Sequence, residues 1–103
     1  SDELVVVRGI NAFPAQVAAV INRHAALSGE WRIVLEGSGP YDVLPVEAEL
    51  ARAFSAEPPA AIAERVAADF KRELGLTARL RLMPFASLPR TEGKAKRVWR
   101  KEP

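Results

Sequence analysis

With 103 residues, 49% of them hydrophobic and 27% charged, the chain has the length and composition of one globular domain, spanning 1–103. It has no cysteine and a single histidine, His24; this excludes disulfides, thiolate catalysis, Cys-type zinc sites and any His-based metal centre or triad, so no metal ligands are assigned. The net charge is +2, yet residues 89–103 hold six basic side chains against two acidic ones, a local anion-seeking surface rather than the broad basic footprint of a dedicated nucleic-acid binder. No apolar run reaches membrane-spanning length and no signal-peptide pattern opens the chain, so a soluble, cytoplasmic protein without a membrane partner is expected.

Leu4-Val5-Val6-Val7 is an apolar, β-branched run closed by Arg8-Gly9, which reads as a strand and a turn. Pro14 suits the first position of a helix. Val17, Val20, Ile21, Ala25 and Leu27 then recur at helical spacing, with Ser28-Gly29 as the expected left-handed cap. His24 is expected on the surface or boundary of that helix. Trp31-Arg32-Ile33-Val34-Leu35 reads as a strand with Trp31 in the core, and Gly37-Ser38-Gly39-Pro40 as a hairpin loop. Val46-Glu47-Ala48-Glu49-Leu50 alternates strictly. Pro45 belongs at that strand's start or at an edge, and Glu47 and Glu49 are expected on a solvated sheet face, within reach of Arg32, Arg79 and Arg81.

Residues 51–59 form a polar, proline-containing linker. Pro58-Pro59 opens a second helix in which Ile62, Val66 and Phe70 lie four apart and Glu64, Arg65, Asp69, Lys71, Arg72 and Glu73 supply the wet face. Gly75 is the expected C-terminal cap. Leu80 and Leu82 alternate with Arg79 and Arg81 in a last strand that Pro84 stops. The remaining tail has no apolar periodicity and is expected to depend on a partner surface for order. The predicted order is therefore βαββαβ. Two amphipathic helices over one face of a small, mostly antiparallel sheet make a ferredoxin-like α+β sandwich.

The tail contains Leu88-Pro89-Arg90-Thr91-Glu92-Gly93-Lys94-Ala95-Lys96-Arg97. A proline stops the chain, a glycine frees it, and a lysine beside that glycine offers a compact charge on a flexible stem, suited to phosphate and carboxylate oxygens. The residues alone imply an anion-contacting loop.

At the other end, Asp2-Glu3-Leu4-Val5-Val6-Val7-Arg8-Gly9-Ile10-Asn11-Ala12-Phe13-Pro14 resembles the start of the C-terminal domain of adenylate-forming acyl-CoA ligases, above all the phenylacetate–CoA ligase group. There an aspartate pair precedes an apolar strand and an Arg-Gly-x-Asn-x-Phe-Pro segment. The tail is similar to that family's closing motif, with its Gly-Lys-x-x-Arg core at Gly93, Lys94 and Arg97. The resemblance spans essentially the whole chain and implies the detached lid of a larger enzyme, with the hinge near residues 1–3 and the catalytic-lysine loop at 88–97.

By this resemblance, Asp2 matches the hinge about which the lid turns. Lys94 matches the lysine that reaches carboxylate and phosphate oxygens during adenylate formation, with Gly93 and Arg97 supporting its loop. Gly9 matches the loop lining the coenzyme A channel, flanked by Arg8 and Asn11. Three departures stand out: Glu3 replaces a usual aspartate, Ala18 replaces a frequent glutamate, and the closing loop is one residue shorter between Thr91 and Gly93, a shortening the phenylacetate group shares. The implied cofactors are ATP, Mg2+ and coenzyme A, bound mainly by an N-terminal adenylation domain. The implied substrate is a small carboxylic acid such as phenylacetate, and the lid alone is expected to lack turnover. An exposed interdomain face leaves a homodimer open. Two other readings are a free-standing ferredoxin-like module whose basic tail meets RNA or another polyanion, and a small-molecule regulatory domain. The sheet lacks the aromatic pairs of a base-stacking platform, so nucleic acid is not the expected partner.

Overall fold

The computed structural model describes residues 3–52, 57–90 and 96–101. In chain order they form β1 (Val5–Val7), β2 (Ile10–Ala12), α1 (Pro14–Asn22), β3 (Leu27–Glu36), β4 (Leu44–Leu50), α2 (Pro59–Leu74), β5 (Ala78–Met83) and β6 (Val98–Lys101). β1 and β2 make a separate two-stranded hairpin. The others form a four-stranded sheet in the order β5-β4-β3-β6.

The α+β class and the pair of helices hold, but the strand pairing differs from the expectation. β1 stays out of the main sheet and pairs with β2, a strand too short to show a period. Within the main sheet only β3 and β4 run antiparallel; β4–β5 and β3–β6 are parallel. The place beside β3 is taken by β6, drawn from the tail that lacked any apolar repeat. Its single buried side chain, Val98, sits level with Ile33. Val98–Lys101 are therefore ordered by this domain's own sheet.

One face of the sheet is apolar. Trp31, Ile33 and Leu35 of β3 lie beside Ala48, Val46 and Leu44 of β4, and all six are buried. Val17, Val20 and Ile21 of α1 and Ile62, Val66 and Phe70 of α2 join the same core. Each such fully buried aliphatic or aromatic side chain stabilises by about 1.5–3 kcal/mol, which is why the two helices lie on this face.

The second helix ends as its sequence requires. Gly75 adopts φ 72° and donates its N–H to the Lys71 carbonyl, while Lys71 and Arg72 place positive charge at the negative end of the helix dipole. The first helix ends earlier than expected, at Asn22. Ser28-Gly29 lies inside β3, at an irregularity between Leu27 and Trp31 where the pairing with β4 shifts register. Gly29 takes φ 102° there, as a β-bulge commonly demands. His24 consequently sits beyond the helix and is buried rather than superficial; its Nε2 lies 2.8 Å from Asp69 Oδ2 on α2.

The opposite sheet face carries Glu47 and Glu49 as the alternation predicted, but neither carboxylate is solvated there. Glu47 is 8% exposed and Glu49 0%. Arg32 Nε reaches Glu47 Oε1 at 2.7 Å, and Arg81 Nη1 lies 3.6 Å from Oε2. Residues 84–90 return over the sheet and cover Glu49, with Leu88 buried beside it.

Candidate functional site

Arg8 and Gly9 form the two-residue loop of the β1–β2 hairpin. Both have positive φ, 49° and 79°, the combination that matches the twist of a two-residue hairpin. A side chain at Gly9 would be strained by that φ but would meet no atom within 4 Å. The tip therefore presents bare backbone to open space. Behind it lies a groove of about 360 Å³ between the hairpin and residues 38–42, with Arg100 at its rim.

The hairpin is located by its neighbours. Val5, Val7 and Ala12 enter the core. Arg8 donates its N–H to the Tyr41 carbonyl at 2.9 Å, and the Tyr41 hydroxyl donates to the Gly37 carbonyl at 2.6 Å. Asn11 is exposed on β2, opposite Val6. Leu4, Val6, Ile10 and Phe13 leave an apolar collar exposed around the same end. Arg8, Gly9 and Asn11 are thus gathered on one small element, as their closeness in sequence suggests.

Arg97 belongs to a different element. It lies just before β6, where its Nη1 donates to the Trp31 carbonyl at 2.7 Å and lies 3.5 Å from Glu30 Oε1. The guanidinium packs 4.7 Å from the centre of the Trp31 ring. Its own carbonyl accepts the Ile33 N–H at 2.7 Å. Asp2, Gly93 and Lys94 lie outside the described residues.

Sequence reasoning gave Glu30 and Arg90 no role and placed Glu49 only on a solvated sheet face, within reach of Arg32, Arg79 and Arg81. Arg90 Nη1 lies 2.7 Å from Glu49 Oε2, off the hydrogen-bond axis, and 3.9 Å from Glu30 Oε2. Glu49 Oε1 accepts the Leu88 N–H at 3.1 Å. Burial pushes the Glu49 carboxyl up, but the Leu88 N–H, Arg90, Ser28 and the Ala86 backbone outweigh it and hold the group below its ordinary value. The one sequence signal for this arrangement is Leu88, an isolated apolar residue two positions before Arg90.

Among the described residues, the other basic side chains of the tail also have local partners. Arg100 Nη2 lies 2.8 Å from Glu3, and Lys101 Nζ 3.0 Å from Glu36. Trp99 is half-buried on the open sheet face, with Arg32 and Lys96 over its ring at 5.5 and 4.4 Å. Among the described residues no three His, Asp or Glu side chains gather to hold a metal ion, and no helix is long and apolar enough to cross a membrane.

A hairpin with a bare glycine tip, a four-stranded mixed sheet and two helices on its apolar face match the family of AMP-binding enzyme C-terminal domains over residues 9–101, and the chain belongs to that family. It is similar to the phenylacetate-coenzyme A ligase of Aromatoleum evansii, at 32% identity over all of this chain and 24% of that enzyme. The chain therefore spans about a quarter of the length of the curated relatives it matches. A crystal structure of a domain of phenylacetate-coenzyme A ligase from Bacteroides vulgatus superposes with a TM-score of 0.79 at 28% identity, covering 96% of this chain and 92% of that one. 2-Hydroxyisobutyryl-CoA ligase superposes in two states, each at 28% identity and 21% of that chain. The postadenylation state with R3-HIB-AMP gives 0.83 over 95% of this chain; the thioesterification state with 2-HIB-AMP and CoA gives 0.80 over 96%.

Proposed function

We propose that residues 1–103 are the C-terminal lid of an ATP-dependent, AMP-forming carboxylate–CoA ligase that acts in the cytoplasm on phenylacetate or a similar aromatic acid. A larger N-terminal domain binds ATP and the acid. The observation that carries this reading is the exposed Arg8-Gly9 turn beside open space, on a domain similar to one seen in both an adenylate-bound and a CoA-bound ligase.

In the first half-reaction a carboxylate oxygen attacks the α-phosphorus of ATP and pyrophosphate leaves. Lys94 stabilises the negative charge that develops on the surrounding oxygens. The lid then turns about Asp2 and brings the Gly9 tip to the channel through which the CoA thiol reaches the acyl carbonyl, releasing AMP. Arg8 and Asn11 flank that channel. One lid thereby completes two active sites in succession. In this reading the large domain also holds the Mg2+ that accompanies ATP. The lid alone does not turn over. The polyanion-binding alternative loses ground because Arg90, Arg97, Arg100 and Lys101 are each engaged by a glutamate of this domain.

A crossed pair of variants in the complete ligase tests the division of labour. Lys94→Ala lowers acid-dependent ATP–pyrophosphate exchange by about 10²–10³-fold and spares thioester formation from supplied acyl-adenylate. Gly9→Trp does the reverse. Equal losses in both half-reactions for both variants would refute the assignment.

A further inference from the structure

Arg90 and Arg97, which lie on either side of positions 91–95, converge on one carboxylate, Glu30, and Arg90 also meets Glu49. Arg90 reaches Glu49 at 2.7 Å and Glu30 at 3.9 Å, and Arg97 reaches Glu30 at 3.5 Å. Each guanidinium also rests on an aromatic ring, Phe85 for Arg90 at 5.2 Å and Trp31 for Arg97 at 4.7 Å. The two acids come from the paired central strands. Glu49 has no exposed surface at all.

Glu30 is aimed by the irregularity in β3. Its N–H donates to Ser28 Oγ at 3.1 Å, and Gly29 supplies the positive φ at that point. Bulges commonly re-aim a side chain beside a functional site. A fully buried glutamate in a central strand is costly unless a cation and hydrogen-bond donors meet it. The Leu88 N–H and Arg90 meet this one, so the carboxylate is committed to the segment that leads into position 91.

We propose that Glu49 and Glu30 are positioning residues for the ligase reaction: by seating Arg90 and Arg97 they fix where the chain leaves and rejoins the sheet on either side of Lys94. This rests on the lid reading above. Seven peptide links separate the two arginines, about 25 Å of fully extended chain. Both arginines nevertheless reach the Glu30 carboxylate, so Arg90 and Arg97 are brought together at one point of β3. Glu49 stays ionised at neutral pH, met by the Leu88 N–H and Arg90 and held below its ordinary value.

The test uses the complete ligase with Glu49→Gln, which keeps size and hydrogen bonding and removes the charge. Acid-dependent ATP–pyrophosphate exchange falls about tenfold to 100-fold, the scale of an ångström-sized misplacement, with the loss in kcat. Thioester formation from supplied acyl-adenylate is unchanged. Arg90→Ala gives the same selective loss, Arg90→Lys recovers part of it, and the Glu49→Gln/Arg90→Ala pair loses no more than either alone. If Glu49→Gln does not fold, Arg90→Ala and Arg97→Ala decide the matter through the same split. Wild-type exchange in these variants overturns the proposal, as does an equal fall in both half-reactions, which marks a purely structural role. Lys94→Ala is the control. If exchange survives it, the lid reading itself falls and this inference with it. If exchange is lost there but kept in the glutamate and arginine variants, only this inference falls.

Discussion

The β1–β2 hairpin is held by backbone hydrogen bonds and apolar side chains, whereas the chain on either side of residues 91–95 adds buried charge pairs to such contacts. Val5, Val7 and Ala12 seat the hairpin in the core, and the backbone N–H of Arg8 ties its tip to Tyr41. Among the described residues its only salt bridge, Arg8 to Asp42 at 3.5 Å, joins two largely exposed side chains. Arg90 and Arg97 instead meet carboxylates of the central strands, one of them fully buried. A tip that must present empty backbone gains from contacts that do not depend on ionisation. A cationic side chain that must arrive at one place gains from directional charge pairs, which resist displacement more than apolar contacts do. The same domain thus uses two kinds of anchorage for two kinds of task.

The largest difference is expected between truncating the buried side chain beside Arg90 and truncating an exposed one on the hairpin. Leu88 is 4% exposed and its N–H holds Glu49, so Leu88→Ala lowers stability by about 2–5 kcal/mol in chemical denaturation. Val6 on the hairpin is 47% exposed, and Val6→Ala changes stability by only about 0.5 kcal/mol or less. Similar losses for the two would erase the contrast.

Acid titration sharpens it next. Glu49 has a folded-state pKa below its ordinary value of 4.5, so the stability it contributes is present above that value and is lost as pH falls through the lowered folded value. Asp69 behaves in the same direction: burial raises its carboxyl, and Arg72 and His24 outweigh that. Thermal unfolding followed from neutral pH to below 4.5 shows a decline, and Glu49→Gln flattens part of it while leaving the Asp69 share. Amide shifts of Leu88, Arg90 and Arg97 move over this range, and those of Val5–Val7 do not; hairpin amides moving equally would contradict charge-free anchorage. The smallest effect is expected at the exposed Lys101–Glu36 pair. Glu36→Gln shifts the melting transition by the equivalent of about 0–1 kcal/mol.

The second helix, its Gly75 cap, β5 and the 37–40 hairpin loop were legible because their apolar period or turn chemistry is local. Ile62, Val66 and Phe70 announce a helix face without any tertiary partner. β2 was not legible, since Ile10-Asn11-Ala12 is too short for a period and is fixed only by pairing with β1. Ser28-Gly29 carries the chemistry of a helix cap and of a bulge alike, and only the pairing of Leu27 with Leu50 selects the bulge. β6 has a single buried side chain, because a parallel edge strand needs backbone partners more than an apolar face. At the site, Arg8 and Gly9 could be read from a contiguous motif. The convergence of Glu30, Glu49, Arg90 and Arg97 could not, because it joins residues up to 67 positions apart (Glu30 to Arg97) through a bulge and a returning loop.

The parallel pairing of β6 with β3 bears on how the domain is made. β3 cannot acquire its outer neighbour until the ribosome has delivered Val98–Lys101, some 65 residues later at the Ile33–Val98 rung. Until then a long strand offers unpaired amides and carbonyls along one side, the kind of edge through which nascent chains stick to one another. A message cut short after β5 would yield a product with that edge permanently bare, so synthesis of β6 doubles as protection against self-association.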